Sequence, residues 1–156
     1  MKTIIVNEEV FLKTPDLFVK ALEEFGPGTT AEDMLRTIRF NGFYFFAFDE
    51  KDNVTAWGRC AKTWRRKTMY CIRQVETKEE YRNKGYASQL YKVCEEYLKR
   101  DGIAKRIYTF VDKDNVASLR FHEKNGYSRV NKVSKEIREI HGWESAIMFE
   151  KQINKK

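Results

Sequence analysis

Residues Tyr81–Ser88 read Y-R-N-K-G-Y-A-S. The stretch follows the apolar run Met69-Tyr70-Cys71-Ile72 and leads into a long helical pattern, so it stands where a strand hands over to a helix. Two cations, a glycine and two small residues at such a point have two readings. One is a tight turn that starts the helix. The other is a cradle for phosphate. The first turn of a helix has backbone N–H groups without intrahelical partners, at the positive end of the helix dipole. Gly85 lets an anion approach that backbone. Ala87 and Ser88, after Tyr86, are small and leave room, and Arg82 and Lys84 flank Asn83 with positive charge, a set that suits pyrophosphate. The spacing is neither GxxxxGK[ST] nor GxGxxG, so the surrounding chain has to decide.

That chain has 156 residues, 42% apolar and 14% aromatic, which fits one domain over residues 1–156 with a packed core rather than a disordered segment. No apolar run approaches the length of a membrane span. Glu8 and Glu9 interrupt the opening stretch too early for a signal-peptide core, so a cytoplasmic protein is expected. The 30 Lys and Arg against 23 Asp and Glu leave a formal charge of +7, which favours an anionic partner. Nucleic acid, a phosphorylated cofactor and an acidic membrane surface all satisfy charge alone. Cys60, Cys71 and Cys94 are odd in number and lack CxxC spacing, and the only histidines are His122 and His141. Reduced thiols, and no metal site, are the expectation. Cys94 falls in an apolar helical stripe, which assigns it to packing rather than to nucleophilic chemistry.

The order of elements follows from pattern. A short strand is predicted over Thr3 to Val6. A helix follows Thr14-Pro15, with Leu17, Phe18, Ala21, Leu22 and Phe25 on its apolar face. A second helix starts at Thr29, which has capping-box spacing to Glu32. Phe43 to Phe48, Val54 to Trp64 and Thr68 to Val75 read as an antiparallel meander. Arg65-Arg66-Lys67 between the last two is read as a solvated hairpin tip in preference to an anion contact. Arg82 to Arg100 is the longest helical pattern, with Leu90, Val93, Cys94, Tyr97 and Leu98 as its buried stripe. Then come a strand from Arg106 to Val111, a short helix from Val116 to Lys124, and strand-like segments near Tyr127 to Val133 and Ser145 to Ile153. Ser134 to Ile140 reads as strand or loop. The strand–helix–strand in the middle needs a crossover, which permits a parallel pair.

Asn115-Val116-Ala117-Ser118-Leu119-Arg120-Phe121-His122 follows the later strand, and Asn125-Gly126-Tyr127 closes the short helix. Asn115, Ser118 and His122 are three and four residues apart and share a helix face. That polar stripe either lines a cleft or faces solvent, with Asn115 as the helix cap.

The two segments together resemble the GNAT superfamily of acyl-CoA-dependent N-acetyltransferases. Arg82, Gly85 and Ala87 match its Q/R-x-x-G-x-G/A loop. Asn115, Ser118, Gly126 and Tyr127 match its N-x-x-A/S…G-F/Y segment. The resemblance implies an α/β fold: a twisted, mixed, mostly antiparallel sheet flanked by helices, with a parallel strand pair that splays apart. It implies acetyl-CoA as the acyl donor, its pantetheine entering the gap beside Gln74 and Val75. The backbone from Arg82 to Ser88 would hold the pyrophosphate, with Asn115 and Ser118 near the cofactor. Many family members carry a tyrosine seven residues after the motif asparagine, where it protonates the departing thiolate. Here that position is His122, which either supplies the proton or orders a water or the cofactor. Glu76, at the end of the proposed cofactor strand, is the candidate base, with water as the alternative carrier.

The implied partners are acetyl-CoA and an amine on a small molecule or a protein, with a homodimer left open and no membrane. The family builds acceptor pockets from its first helices and last strands, which here contain Phe40, Phe43, Tyr44, His141, Trp143 and Glu144. Two other classes remain: a basic nucleic-acid-binding module, and a GNAT-like protein that binds an acyl-CoA without catalysis.

Overall fold

The structure, a computed structural model, describes residues 1–102, 104–141 and 145–154. Strand β1 (Lys2–Val6) is followed by helices α1 (Glu8–Lys13), α2 (Pro15–Glu23) and α3 (Ala31–Arg39). The meander β2 (Gly42–Phe48), β3 (Val54–Thr63) and β4 (Arg66–Thr77) comes next. A single 3-10 turn, Glu79–Tyr81, precedes α4 (Tyr86–Asp101). Then come β5 (Arg106–Asp112), α5 (Val116–Lys124), β6 (Ser128–Arg129), α6 (Lys135–His141) and β7 (Ala146–Gln152). The seven strands form one sheet in the order β1-β2-β3-β4-β5-β7-β6. Every pair is antiparallel except β4–β5, which the α4 crossover makes parallel. This is the mixed, mostly antiparallel architecture anticipated from the sequence.

Alternation along the strands sorts side chains to two faces. On one face Phe43, Phe45, Cys60, Ile72, Ile107 and Phe149 pack under Leu90, Tyr91, Cys94 and Leu98 of α4 and Leu119 of α5. On the other, Tyr44, Phe46 and Trp57 pack under Phe11, Phe18, Leu22, Met34 and Ile38 of α1–α3. Ile137 of α6 covers Met69, Cys71, Tyr108 and Met148 on that same second face. The helices of the second face therefore stand over the two halves of the sheet.

Several local expectations are corrected. The second helix is capped by Thr30, not Thr29. The Thr30 hydroxyl accepts from the Asp33 N–H at 3.1 Å and the Asp33 carboxylate accepts from the Thr30 N–H at 3.0 Å, a capping box one residue later with the shorter acid. Leu17 is exposed rather than in the core face of α2. The hairpin tip is Trp64-Arg65, and Arg66 and Lys67 already belong to β4. The segment Ser134–Ile140 is largely helical, as α6, and only Ser128–Arg129 of the Tyr127 to Val133 segment pairs as strand. Helix α1 was not foreseen; Asn7 caps it by accepting from the Val10 N–H at 3.0 Å.

Of the glycines in the sheet, Gly58 is the more closely packed. A Cβ there would run into the buried Phe45 ring and lie 2.9 Å from the Gln74 carbonyl oxygen. Gly58→Ala is therefore expected to cost about 1–3 kcal/mol through overpacking. A drop in melting temperature of several degrees checks it; an unchanged value would contradict this packing.

Candidate active site

Helix α4 starts at Tyr86, four residues later than its periodicity implies, because Asn83 (φ 61°) and Gly85 (φ 86°) adopt left-handed backbone that no right-handed helix accommodates. Gly85 is the N-cap, and the helix's first hydrogen bond runs from the Gln89 N–H to its carbonyl at 3.0 Å. By helix geometry the N–H groups of Tyr86, Ala87 and Ser88 lack carbonyl partners within the helix. A Cβ on Gly85 would meet nothing within 4 Å, so the approach to these amides is open. Arg82 and Lys84 are exposed beside them, the Lys84 ammonium 5.7 Å from the centre of the Tyr81 ring. The loop is braced from β2–β3: the Tyr81 hydroxyl donates to Asp49 at 2.8 Å. The Asn53 N–H, above all, holds the Asp49 carboxyl down to about 2.

Strands β4 and β5 pair only at Met69–Arg106, Tyr70–Ile107 and Cys71–Tyr108. Beyond that point they part, while β4 continues to Thr77. At the fork the Thr109 hydroxyl donates to the Ile72 carbonyl at 2.9 Å. The β3–β4 register skips Arg73, between Cys60↔Ile72 and Arg59↔Gln74, a bulge that re-aims the strand. Past it, Gln74 and Glu76 stand opposite Arg59 and Trp57, on the α1–α3 face, with Val75 opposite Gly58. The Gln74 amide donates to the Glu76 carboxylate. The far end of β4 leads through the Glu79–Tyr81 turn into the loop at Arg82–Ser88.

The α5 residues run inward from solvent. Asn115 is exposed and its side-chain oxygen accepts from the Ser118 N–H at 3.1 Å, so it caps the helix. Ser118 is half-buried, and His122 is only 4% exposed. The His122 Nδ1–H donates to the Ser118 carbonyl at 2.7 Å, and Nε2 accepts from the Tyr91 hydroxyl at 2.8 Å. Burial lowers the His122 pKa, against the opposing Ser118 hydrogen bond, which keeps the ring neutral. Tyr91, Phe121, Tyr127 and Phe149 surround it. Nearby, Glu95 accepts from the Tyr127 hydroxyl at 2.9 Å and from Lys151 at 2.7 Å. His122 and Glu76 thus stand on opposite faces of the sheet.

On the α1–α3 face a cleft of about 600 Å³ lies between α3, the β3–β4 hairpin and α6. Arg59, Cys71, Arg73 and Tyr108 contribute to its wall. Arg73 donates to His141 Nδ1 at 3.1 Å, and His141 Nε2–H donates to the Tyr108 hydroxyl oxygen at 2.9 Å. The Thr63 hydroxyl donates to the same oxygen at 2.7 Å. Burial, then the Arg73 charge, lowers the His141 pKa to about 4. Of the residues expected around the acceptor, Phe40 and His141 line this cleft, whereas Phe43 and Tyr44 are core. Trp143 and Glu144 lie outside the described residues. Sequence reasoning missed Arg59, Arg73 and Tyr108; a charged residue at position 59 among the buried residues of β3 was the available signal.

Both histidines bind protons less readily folded than unfolded, so stability falls as pH drops below the ordinary value near 6.5. For His141 the loss is complete below about 4. The Asp49 contribution is lost lower, as pH falls from 3.8 through about 2. Melting temperature is expected to decline from pH 6.5 to 4, and His141→Gln to decline less steeply. Parallel pH profiles would contradict the His141 assignment.

The sequence profile of the acetyltransferase (GNAT) family matches residues 13–127. Among curated proteins, none matches this chain. Solved structures share the fold at low identity. The PaiA N-acetyltransferase from Thermoplasma acidophilum, in complex with coenzyme A, is 17% identical over 97% of this chain and 99% of its own, with a TM-score of 0.65. An acetyltransferase of the GNAT family from Staphylococcus aureus Mu50 is 12% identical over 98% and 100%, at 0.68. An aminoglycoside 6'-N-acetyltransferase complexed with coenzyme A is 16% identical over 100% and 99%, at 0.65. With the profile spanning both the Arg82–Ser88 loop and the Asn115–Tyr127 segment, the chain belongs to the GNAT acetyltransferase family.

Proposed function

We propose that this chain transfers an acetyl group from acetyl-CoA directly to a primary amine. The observation that carries the reading is the β4–β5 fork, which opens toward a loop whose helix-start amides have no partner within the helix. The backbone from Arg82 to Ser88, with the Arg82 and Lys84 charges, holds the pyrophosphate. Gln74 and Val75, on the length of β4 that pairs with β3 but not with β5, hold the pantetheine arm through backbone hydrogen bonds. Asn115 and Ser118 border the same ligand from α5. Two of the solved relatives carry coenzyme A, which supports this placement.

In the reaction a neutral amine nitrogen bonds to the thioester carbon and gives up a proton, the C–S bond breaks, and the sulfur leaves as a thiolate that takes up a proton, which leaves a neutral amide and a free thiol. An alkylammonium has a pKa of roughly 10, so a proton must be removed first. Glu76 faces the side of the sheet that holds the cleft, and it takes this proton directly or through water. Backbone N–H groups near Val75 polarise the thioester carbonyl. The neutral His122 carries its proton on Nδ1, held by the Ser118 carbonyl, so to protonate the thiolate it must first exchange the Tyr91 contact at Nε2 for a proton taken from water; water ordered by the same ring is the alternative donor.

Saturating acetyl-CoA, at about a hundred times its dissociation constant, is expected to add roughly 2.7 kcal/mol of stability, a rise of several degrees, with no comparable rise from ATP. Gly85→Ala, which puts a side chain on left-handed backbone (φ 86°) and so strains the loop, is expected to remove most of that shift. Equal shifts from both ligands, or none, would overturn the reading. Separately, His122→Gln is expected to lower kcat while leaving the acetyl-CoA shift intact; an unchanged kcat assigns His122 to the core alone.

A further inference from the structure

We propose that the acceptor amine is carried on an anion, whose carboxylate or phosphate group occupies the basic cleft between α3, the β3–β4 hairpin and α6. The proposal rests on the acetyltransferase reading and deepens it. Seven residues lining the cleft are Arg or Lys, and none of its described lining residues is Asp or Glu. Some of that charge is already matched. Arg66 pairs with Glu136 at 3.1 Å and Arg36 with Asp33 at 3.7 Å. Arg65 lies over the Trp64 ring at 4.8 Å.

The rest is not matched. Arg59, Lys62, Lys67 and Arg73 make no ion pair with a carboxylate among the described residues. Arg73 is held by His141, whose lowered pKa keeps it neutral at physiological pH. That contact orients the guanidinium without cancelling its charge. The Arg59 Nε is shut off from solvent and has no hydrogen-bond partner. A buried donor without a partner is costly, so the guanidinium that lines the cleft gains nothing from the protein at Nε and no carboxylate among the described residues offsets its charge.

The cofactor does not account for these charges. Its phosphates are assigned to the loop beyond the far end of β4, whereas Arg59 and Arg73 stand at the bulge where β4 leaves β5. That is beside the proposed thioester, where the acceptor must arrive. The positive field also disfavours the charged form of an ammonium, which raises the share of neutral, nucleophilic amine while the anionic group anchors the molecule. A polyamine with several positive charges meets only repulsion here. The exposed Phe40 and Trp64 rings, 75% and 71% accessible, edge the same cleft and offer apolar surface to the remainder of the acceptor.

The test uses matched acceptors with the intact protein and acetyl-CoA. One pair is glycine and glycinamide, another is 2-aminoethyl phosphate and ethanolamine, and spermidine is the polycation. Thiol release gives kcat and KM. Binding of the corresponding N-acetylated products to the CoA-saturated protein, followed by NMR, gives a readout that needs no turnover. The anionic member of at least one pair is expected to be favoured at least tenfold, mostly through KM and product affinity, and less so at high salt. The carboxylate and phosphate pairs tell the two anions apart. Arg59→Gln and Arg73→Gln are each expected to reduce the preference to about threefold or less with the acetyl-CoA shift unchanged. Equal or reversed preference in both pairs, or a preference that survives both substitutions, would overturn the proposal. Loss of acetyl-CoA binding in the unsubstituted protein would instead overturn the acetyltransferase reading, and the acceptor role with it.

Discussion

Strands β4 and β5 are hydrogen-bonded neighbours for three residue pairs and then separate. Backbone N–H and C=O groups left unpaired within a sheet are costly unless something else satisfies them. The chain manages the separation at its start: the Thr109 hydroxyl takes the Ile72 carbonyl, and the Arg73 bulge turns β4 toward β3. Past the fork nothing in β5 opposes residues 74–77, which is the backbone an extended ligand would complete. The crossover helix α4 has to begin beyond the end of β4, and its opening loop therefore lies at the mouth of the same gap. One broken pairing sets the position of both halves of the proposed cofactor site.

The sheet then divides the chemistry by face. The α4–α5 side is filled: His122 sits in an aromatic cage, tied to Tyr91 and Ser118, with the Glu95–Tyr127–Lys151 network nearby. The α1–α3 side is left open between α3 and α6, and its charge is almost wholly positive. In the proposed reading the acceptor reaches the gap between β4 and β5 from the open side, which Glu76 faces. The proposed route of the acceptor and its proposed charge preference thus follow from which helices cover which half of one sheet.

Much of the fold was legible because its signals are local. Asn115 and Gly126 bracket α5, whose limits match the pattern to the residue. Gly85 with its flanking cations marks the loop, and the strand–helix–strand order implies the parallel pair. The start of α4 was placed four residues early because Arg82, Asn83 and Lys84 carry no residue type that forbids a helix, and only the left-handed backbone at Asn83 and Gly85 holds the helix back to Tyr86. Helix α6 buries Ile137 fully and little else, too weak a stripe to read. The basic cleft was hidden for a different reason. It is assembled from α3, β3, β4, β5 and α6, and the bulge at Arg73 breaks the alternation that would have placed Arg59 and Arg73 on one face. Arg65-Arg66-Lys67 was visible as a charge run but not as part of a concave surface.

Residue-resolved amide hydrogen exchange with and without acetyl-CoA tests the central claim most directly. If the fork and the α4 loop form the cofactor site, protection rises at residues 74–77 and 83–88 together, and the hairpin tip at Trp64-Arg65 changes little. Protection confined to the basic cleft, or spread evenly over the cationic surface, would contradict it.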